Sequence, residues 1–306
     1  MTLLRIIIGF VPELFPRQHQ ERNWGSRYYY SVWLRHLIMA HKYGFQSIPR
    51  VIVEIGPGGS LGVGLAALLS GVERYQGLDA VNLFNVKDNL VMLQQLYELF
   101  VNRTTISDKN ELPNLRPHLE YYAFPHHILT EDHLKLALDR NRIAIIREVI
   151  LNVGQDDNLI SYNAPYNIRD LKSESVDLII SQAALEHIDD LEQTYEAMYF
   201  WLKNGGFTSN KIDYTSHETS QKWNGHWGYS DLVWRLIRGR KPYLINRFPH
   251  STHVDLLKKA GFEIVCDLRE QADNPGIGRG HLSARFAGIS EEDLLTSGAF
   301  IQAVKK

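Results

Sequence analysis

The chain predicts an α/β fold in which β-strands alternate with helices and meet in a parallel sheet. Two observations carry this reading. First, Val51 to Ile55 is a short, β-branched apolar run that breaks into Gly56-Pro57-Gly58-Gly59-Ser60 and then reopens as the apolar stretch Leu61 to Leu69. The run is too short and too branched for a helix, and the glycines cannot sit comfortably in one, so the order is strand, tight turn, helix. Second, Tyr75-Gln76-Gly77-Leu78-Asp79 is another short strand, and it ends in a carboxylate. The distance between the two suits a βαβ unit. Glycines at such a turn allow positive φ and let the backbone come up against a ligand, which makes this a nucleotide-type site at the carboxyl end of a parallel strand.

The residues around the glycines narrow the nucleotide. A dinucleotide fingerprint would need a third glycine where Leu61 stands, and a P-loop would need a Gly-Lys-Ser/Thr ending that is missing here. What remains is Glu54-x-Gly56-x-Gly58 with Gly59, and Asp79 placed to take two ribose hydroxyls in a bidentate hydrogen bond.

With these residues the chain resembles the class I S-adenosylmethionine-dependent methyltransferases, whose first motif is an acidic residue followed by glycines at alternate positions. Ser175 to Ile188, which includes Ser181-Gln182 and Leu185-Glu186-His187, is similar to the fourth-strand motif of that family. Leu202-Lys203-Asn204-Gly205-Gly206-Phe207 is similar to the turn into its fifth strand. Ser60 departs from the pattern, standing where many members have another glycine. The resemblance implies a Rossmann-like, seven-stranded, mostly parallel sheet flanked by helices, and S-adenosyl-L-methionine as cofactor. It further implies that Glu54, Gly56, Gly58, Gly59, Asp79, Ser181 and Gln182 bind the cofactor. Asn167 is expected near the adenine through its amide oxygen, the alternative being a turn-forming asparagine close to Pro165.

The remaining elements follow in order. Asn23 to Phe45 has the spacing of an amphipathic helix rich in aromatics, which pack on the sheet or lid the site; residues 1–48 are expected to form an N-terminal helical cap. Leu83 to Phe100 reads as the helix after Asp79. The stretch at about 101–157 is too long for a structureless loop and reads as a helical insertion beside the cofactor, with a helical run from Glu131 to Val149. Leu159 to Tyr162 is the third strand and Val176 to Ser181 the fourth. A helix over Leu191 to Leu202 is expected to end at Gly205-Gly206 as a C-cap, and Phe207 to Ile212 follows as the fifth strand. A helix capped by Ser251 or Thr252 runs to Lys259. Phe262 to Leu268 is the sixth strand, and Ala299 to Val304 the last, antiparallel to it. Further insertions are expected at about 214–247 and 270–296, all within a domain spanning 49–306.

Composition bounds the function. At 306 residues, 44% hydrophobic and 22% charged, the chain is an ordinary globular enzyme by composition. A formal net charge of −2 gives no global attraction to nucleic acid or an anionic membrane, and neither is expected as a partner. The apolar start, Met1 to Val11, is too short for a membrane span. The lone Cys266 lies in an apolar run and reads as a buried small hydrophobe; with no disulfide possible, a cytoplasmic location is expected.

Methyl transfer from a sulfonium needs alignment and exclusion of water, and a hydroxyl acceptor gains from a general base. His217 is the first candidate and His187 the second, with Asp213 as the orienting group, because polar residues past the fifth strand face the crevice. No metal is expected: His250 and His253, with His217, His226 and Asp213, match no established ligand spacing. The Trp- and Arg-rich stretch from Trp223 to Arg247 suits a flat or sugar-like acceptor with an anionic group, or is a solvated basic face. The acceptor is expected to be a small molecule or glycan methylated on oxygen. A non-catalytic cofactor-binding scaffold and an aminopropyl transferase on the same fold are the competing readings.

Overall fold

A computed structural model describes residues 25–153, 159–241 and 243–306. Met1 to Val11 and Asn23 lie outside the described residues, as does the end of the first insertion at 154–157.

The strands are β1 (Val51–Ile55), β2 (Arg74–Leu78), β3 (Ile160–Asn163), β4 (Val176–Gln182), β5 (Leu202–Asp213), β6 (Phe262–Gln271) and β7 (Thr296–Lys305). They form one seven-stranded sheet in the order β3-β2-β1-β4-β5-β7-β6. The first five are mutually parallel and β7 runs antiparallel to both β5 and β6. The order reverses between β1 and β4, which opens a crevice at their carboxyl ends, the place where such sheets bind ligands.

The helices are α1 (Ser26–Lys42), α2 (Gly62–Leu69), α3 (Val86–Val101), α4 (Glu131–Ala137), α5 (Arg140–Leu151), α6 (Leu191–Trp201), α7 (Asp231–Arg238), α8 (His250–Lys259) and α9 (Glu291–Leu295). Side chains alternate across each strand, so the central strands feed two cores. Ile52, Leu178 and Ile180 pack with α1, α2 and α3 on one face. Val53, Ile55 and Ile179 pack with α6 and Leu257 of α8 on the other.

The structure differs from the sequence reading in several helix boundaries and caps. Residues 83–85 precede α3 instead of opening it; the Asn85 side chain caps the helix by accepting from the Asp88 amide at 3.1 Å. The run 131–149 is two helices, because Asp139 caps a new one with its carboxylate on the Asn141 amide. Gly205-Gly206 is no C-cap: α6 passes directly into β5 at Leu202, and the glycines sit where the β4–β5 register shifts. Gly205 there has φ +79°, and a Cβ on Gly206 would lie 2.9 Å from the Lys203 carbonyl. The start of α8 is capped from outside, since Asp293 takes the Ser251 amide and hydroxyl at 2.9 and 2.7 Å.

The first insertion folds away from the glycine turn. His133 Nε2 donates to the Ser70 carbonyl at 2.7 Å and the Arg142 guanidinium to Leu68 and Val72 carbonyls. All three lie at the C-terminal end of α2, while the turn is at its start. Helices α4 and α5 therefore brace α2 and do not sit beside the cofactor site. Cys266 is buried, as expected.

Candidate active site

The glycine turn owes its shape to one close contact and to left-handed backbone. Gly56 has φ +72°, and a Cβ there would lie 2.5 Å from the Cβ of Ala184, just past β4. Gly58 has φ +68° with open space around it, so its requirement is purely conformational. A cavity of about 420 Å³ opens at the turn, walled by Gly56 to Ser60, Glu54, Gln182, Tyr28 and Tyr29. The Tyr29 ring lies so close over Gly62 that a Cβ there would fall 2.3 Å from it. Helix α1 thus supplies the aromatic wall, and its own burial explains why: Tyr30, Trp33, Leu34, Arg35 and His36 are all inside. An amphipathic helix is expected to keep Arg35 exposed, yet its guanidinium is satisfied by the carbonyls of Pro117, Ser107 and Ser31.

Glu54 is buried and accepts the Tyr75 hydroxyl at 2.7 Å; burial pushes its carboxyl up to about 8, against the pull of that hydrogen bond. Asp79 is turned onto the glycine loop. Its Oδ2 accepts from the Gly58 amide at 2.9 Å and its Oδ1 from the Ala80 amide at 2.7 Å. Gln182 joins the cavity to the interior: its Oε1 lies 3.2 Å from His36 Nε2, and His36 Nδ1 is 2.6 Å from the Ser209 hydroxyl. Because the amide oxygen can only accept, His36 Nε2 carries the proton. Burial draws His36 down to about 4, so it is neutral.

Two expected cofactor residues are placed elsewhere. Ser181 is fully buried and does not wall the cavity, because alternation along β4 turns it into the sheet interior. Asn167 caps a single 3₁₀ turn, its amide oxygen accepting from the Arg169 amide at 2.9 Å. Asn163, overlooked in the sequence, ends β3 opposite Leu78 and takes the Asp79 amide on its carbonyl at 3.0 Å. It ends a strand next to the ribose-type acid, and only the strand register shows this.

A second group of side chains gathers past the ends of β4 and β5. Glu186 and His187 lie in a 3₁₀ turn after β4, Asp213 ends β5 and His217 follows it. The rings of His187 and His217 are 5.0 Å apart, and His217 Nε2 is 3.3 Å from Asp213 Oδ2. Successive left-handed residues, His217 at φ 43° and Glu218 at φ 63°, turn the loop back onto the strand; non-glycine residues adopt this conformation at a cost. His187 Nδ1 meets the Tyr243 carbonyl at 2.8 Å, so Nδ1 bears the hydrogen. Asn246 holds the turn by donating to the Leu185 and Ile188 carbonyls and to that of Glu186.

The electrostatics follow from burial and mutual charge. Burial, helped by Asp213, pushes Glu186 up to about 7. Burial and the nearby His217 pull His187 down to about 4. Burial would also lower His217, but the Asp213 carboxylate outweighs it and the net shift is upward. Asp213 is held well below the usual range: its burial is overcome by His217 and the Thr215 amide and hydroxyl. The sequence reading quoted Glu186 without assigning it a role; nothing in its local sequence shows that it is buried without a donor.

The Trp/Arg-rich stretch is largely structural. Arg247 is buried between the Trp234 and Phe286 rings and pairs with Asp231 at 2.7 Å. Arg238 forms a two-pronged pair with Asp189, and the Trp227 indole donates to the Arg247 carbonyl. His250 and His253 do not join the site either, being engaged by Asp267 and Tyr195.

Residues 139–209, from the start of α5 into β5, match a family model described as a methyltransferase domain. The chain has the fold of a class I methyltransferase. The seven-stranded sheet with its antiparallel β7 is the expected Rossmann-like arrangement. Among solved structures, the chain is similar to phosphoethanolamine N-methyltransferase 2 of Haemonchus contortus in complex with S-adenosyl-L-methionine, at 15% identity and a TM-score of 0.43. That alignment covers 89% of this chain and 52% of that one, so the present chain spans about half the Haemonchus enzyme. A SAM-dependent methyltransferase from Methanosarcina mazei is similar at 12% identity and TM-score 0.45, covering 87% of this chain and 96% of that one. One from Mesorhizobium loti is similar at 14% identity and TM-score 0.40, over 84% and 91%. No curated protein matches the chain.

Proposed function

We propose that this methyltransferase carries the methyl group of S-adenosylmethionine to an oxygen of a small-molecule or glycan acceptor. The observation that carries the reading is the junction at Gln182. This residue walls the glycine-turn cavity and stands four positions before Glu186, where the second cluster begins. The cofactor lies along Gly56 to Gly59, with Asp79 and Asn163 toward its ribose and adenine and Tyr28 and Tyr29 over it. The acceptor lies over Glu186, His187, His217 and Asp213.

The chemistry is an in-line displacement: the acceptor oxygen attacks the methyl carbon, the carbon–sulfur bond breaks, and S-adenosylhomocysteine leaves. The acceptor's proton passes to His217, and Asp213 stabilises the imidazolium that results. Alignment and exclusion of water supply most of the rate. With Arg238 and Arg247 committed to internal partners, the exposed Lys222, Arg235 and Arg240 are among what the 214–247 insertion offers an anionic group. Those same charges disfavour the cationic amine acceptor that aminopropyl transfer needs.

The test is release of S-adenosylhomocysteine in a screen of sugar nucleotides, phenolics and small acids. Saturable release with one oxygen-bearing class supports the proposal. Intact cofactor binding with no release from any class would favour the scaffold reading, and transfer to nitrogen alone would remove the oxygen assignment.

A further inference from the structure

Among the described residues, Glu186, His187 and His217 each bring one ligand-type atom to within 4.8 Å of the other two. We infer that these three side chains form a binding site for a divalent transition-metal ion on the acceptor side of the crevice. Independent features converge on this. Glu186 is only 2% exposed, and neither carboxylate oxygen meets a hydrogen-bond donor. A buried carboxylate left in that state is costly, and a bound cation offsets the cost directly.

His187 adds the second feature. Its Nδ1 hydrogen is fixed on the Tyr243 carbonyl at 2.8 Å, which leaves Nε2 as the lone-pair nitrogen. Metal-bound imidazoles are oriented in this way, by a carbonyl or carboxylate on the far nitrogen. His217 Nε2 lies 3.3 Å from an Asp213 carboxylate oxygen, and the ring is brought there by strained left-handed backbone. The turn that bears Glu186 and His187 is clamped by three hydrogen bonds from Asn246, so these ligand positions are preset.

The donor set selects the ion. Two imidazoles and one carboxylate suit zinc, manganese, iron, cobalt or nickel in the divalent state, whereas calcium and magnesium favour all-oxygen sites and copper(I) favours thiolates. Glu186 is buried while both histidines keep partial exposure, which leaves the site open on the histidine side. The role of the ion rests on the proposed acceptor site. There it would polarise the acceptor oxygen and lower its pKa, and His217 would then serve as a ligand in place of accepting the proton. Ion binding itself needs neither cofactor nor acceptor.

The experiment is a titration of tag-free, chelator-treated full-length protein with Co²⁺ alone, read by visible ligand-field absorption. One saturable equivalent is expected. It should be lost in Glu186→Gln and in His187→Ala, with melting curves recorded to confirm that both fold. Asp79→Ala, which touches only the cofactor side, should keep it. Should either ligand variant fail to fold, His217→Ala supplies the same comparison. Absence of a saturable band, or a band that survives every ligand variant, overturns the site. Cofactor binding measured on the same samples separates the two claims: Co²⁺ binding without cofactor binding leaves the ion site standing and removes the methyl-transfer reading, and the reverse removes only the ion site.

Discussion

The two halves of the crevice are built differently. On the cofactor side, between β1 and β3, the shape comes from backbone: positive-φ glycines, a strand-end carboxylate on a backbone amide, and apolar packing underneath. On the acceptor side, past β4 and β5, it comes from ionisable side chains converging from positions 186–187 and 213–217 and held by the Tyr243 carbonyl and Asn246, with strained residues and a carboxylate lacking donors. On the proposed assignment, groups that hold a common cofactor are satisfied within the fold, while groups that act on an acceptor are left unsatisfied.

The largest expected effect lies on the acceptor side. His217→Ala should lower turnover by about 10²- to 10⁴-fold, whether the imidazole takes the acceptor's proton or holds the ion, with cofactor affinity unchanged. Single-turnover assays on the acceptor found by the screen check this, and a rate loss explained by weaker cofactor binding would erase the distinction between the halves.

Next come the glycines. Gly56→Ala should cost about 1–2 kcal/mol for left-handed backbone and about 1–3 kcal/mol more for pressing on Ala184, whereas Gly58→Ala should show only the first cost. Denaturant midpoints of the two variants measure the difference. Equal losses would mean that the β4 loop is not packed against the turn.

A smaller effect is the slope of stability against pH. Glu54 is pushed up to about 8 in the folded chain and titrates near 4.3 when unfolded. Its folded form therefore keeps a proton that the unfolded chain loses. The stabilising contribution is full below the unfolded value and is lost as pH rises through about 8, at no more than about 1.4 kcal/mol per pH unit. Glu54→Gln should flatten the fall in melting temperature from mildly acidic pH up to about 8, measured without cofactor.

This contrast also sets what could be read from sequence. Val51 to Ser60 and Tyr75 to Asp79 declare themselves, because β-branched runs and glycines act locally and a β–turn–α unit is contiguous. Glu186 does not, since its burial without a donor depends on Asn246 and on loops far along the chain. Ser181 was misplaced by one step of strand alternation. From sequence the cap of α8 falls to Ser251 or Thr252 because Asp293 is distant in the chain, and Arg247 reads as part of an acceptor-contacting stretch or a solvated basic face because its stacking on Trp234 and Phe286 is a tertiary arrangement.

Calorimetric titration of S-adenosylmethionine into the wild-type protein, Asp79→Ala and His217→Ala tests the central claim most directly, namely that one half of the crevice holds the cofactor and the other does not. The account predicts one-site binding in the wild type, the same affinity in His217→Ala, and a loss of about 1.5–3 kcal/mol in Asp79→Ala, as expected when hydrogen bonds to a charged group are removed. No saturable binding in the wild type, or equal affinity in wild type and Asp79→Ala, would contradict it.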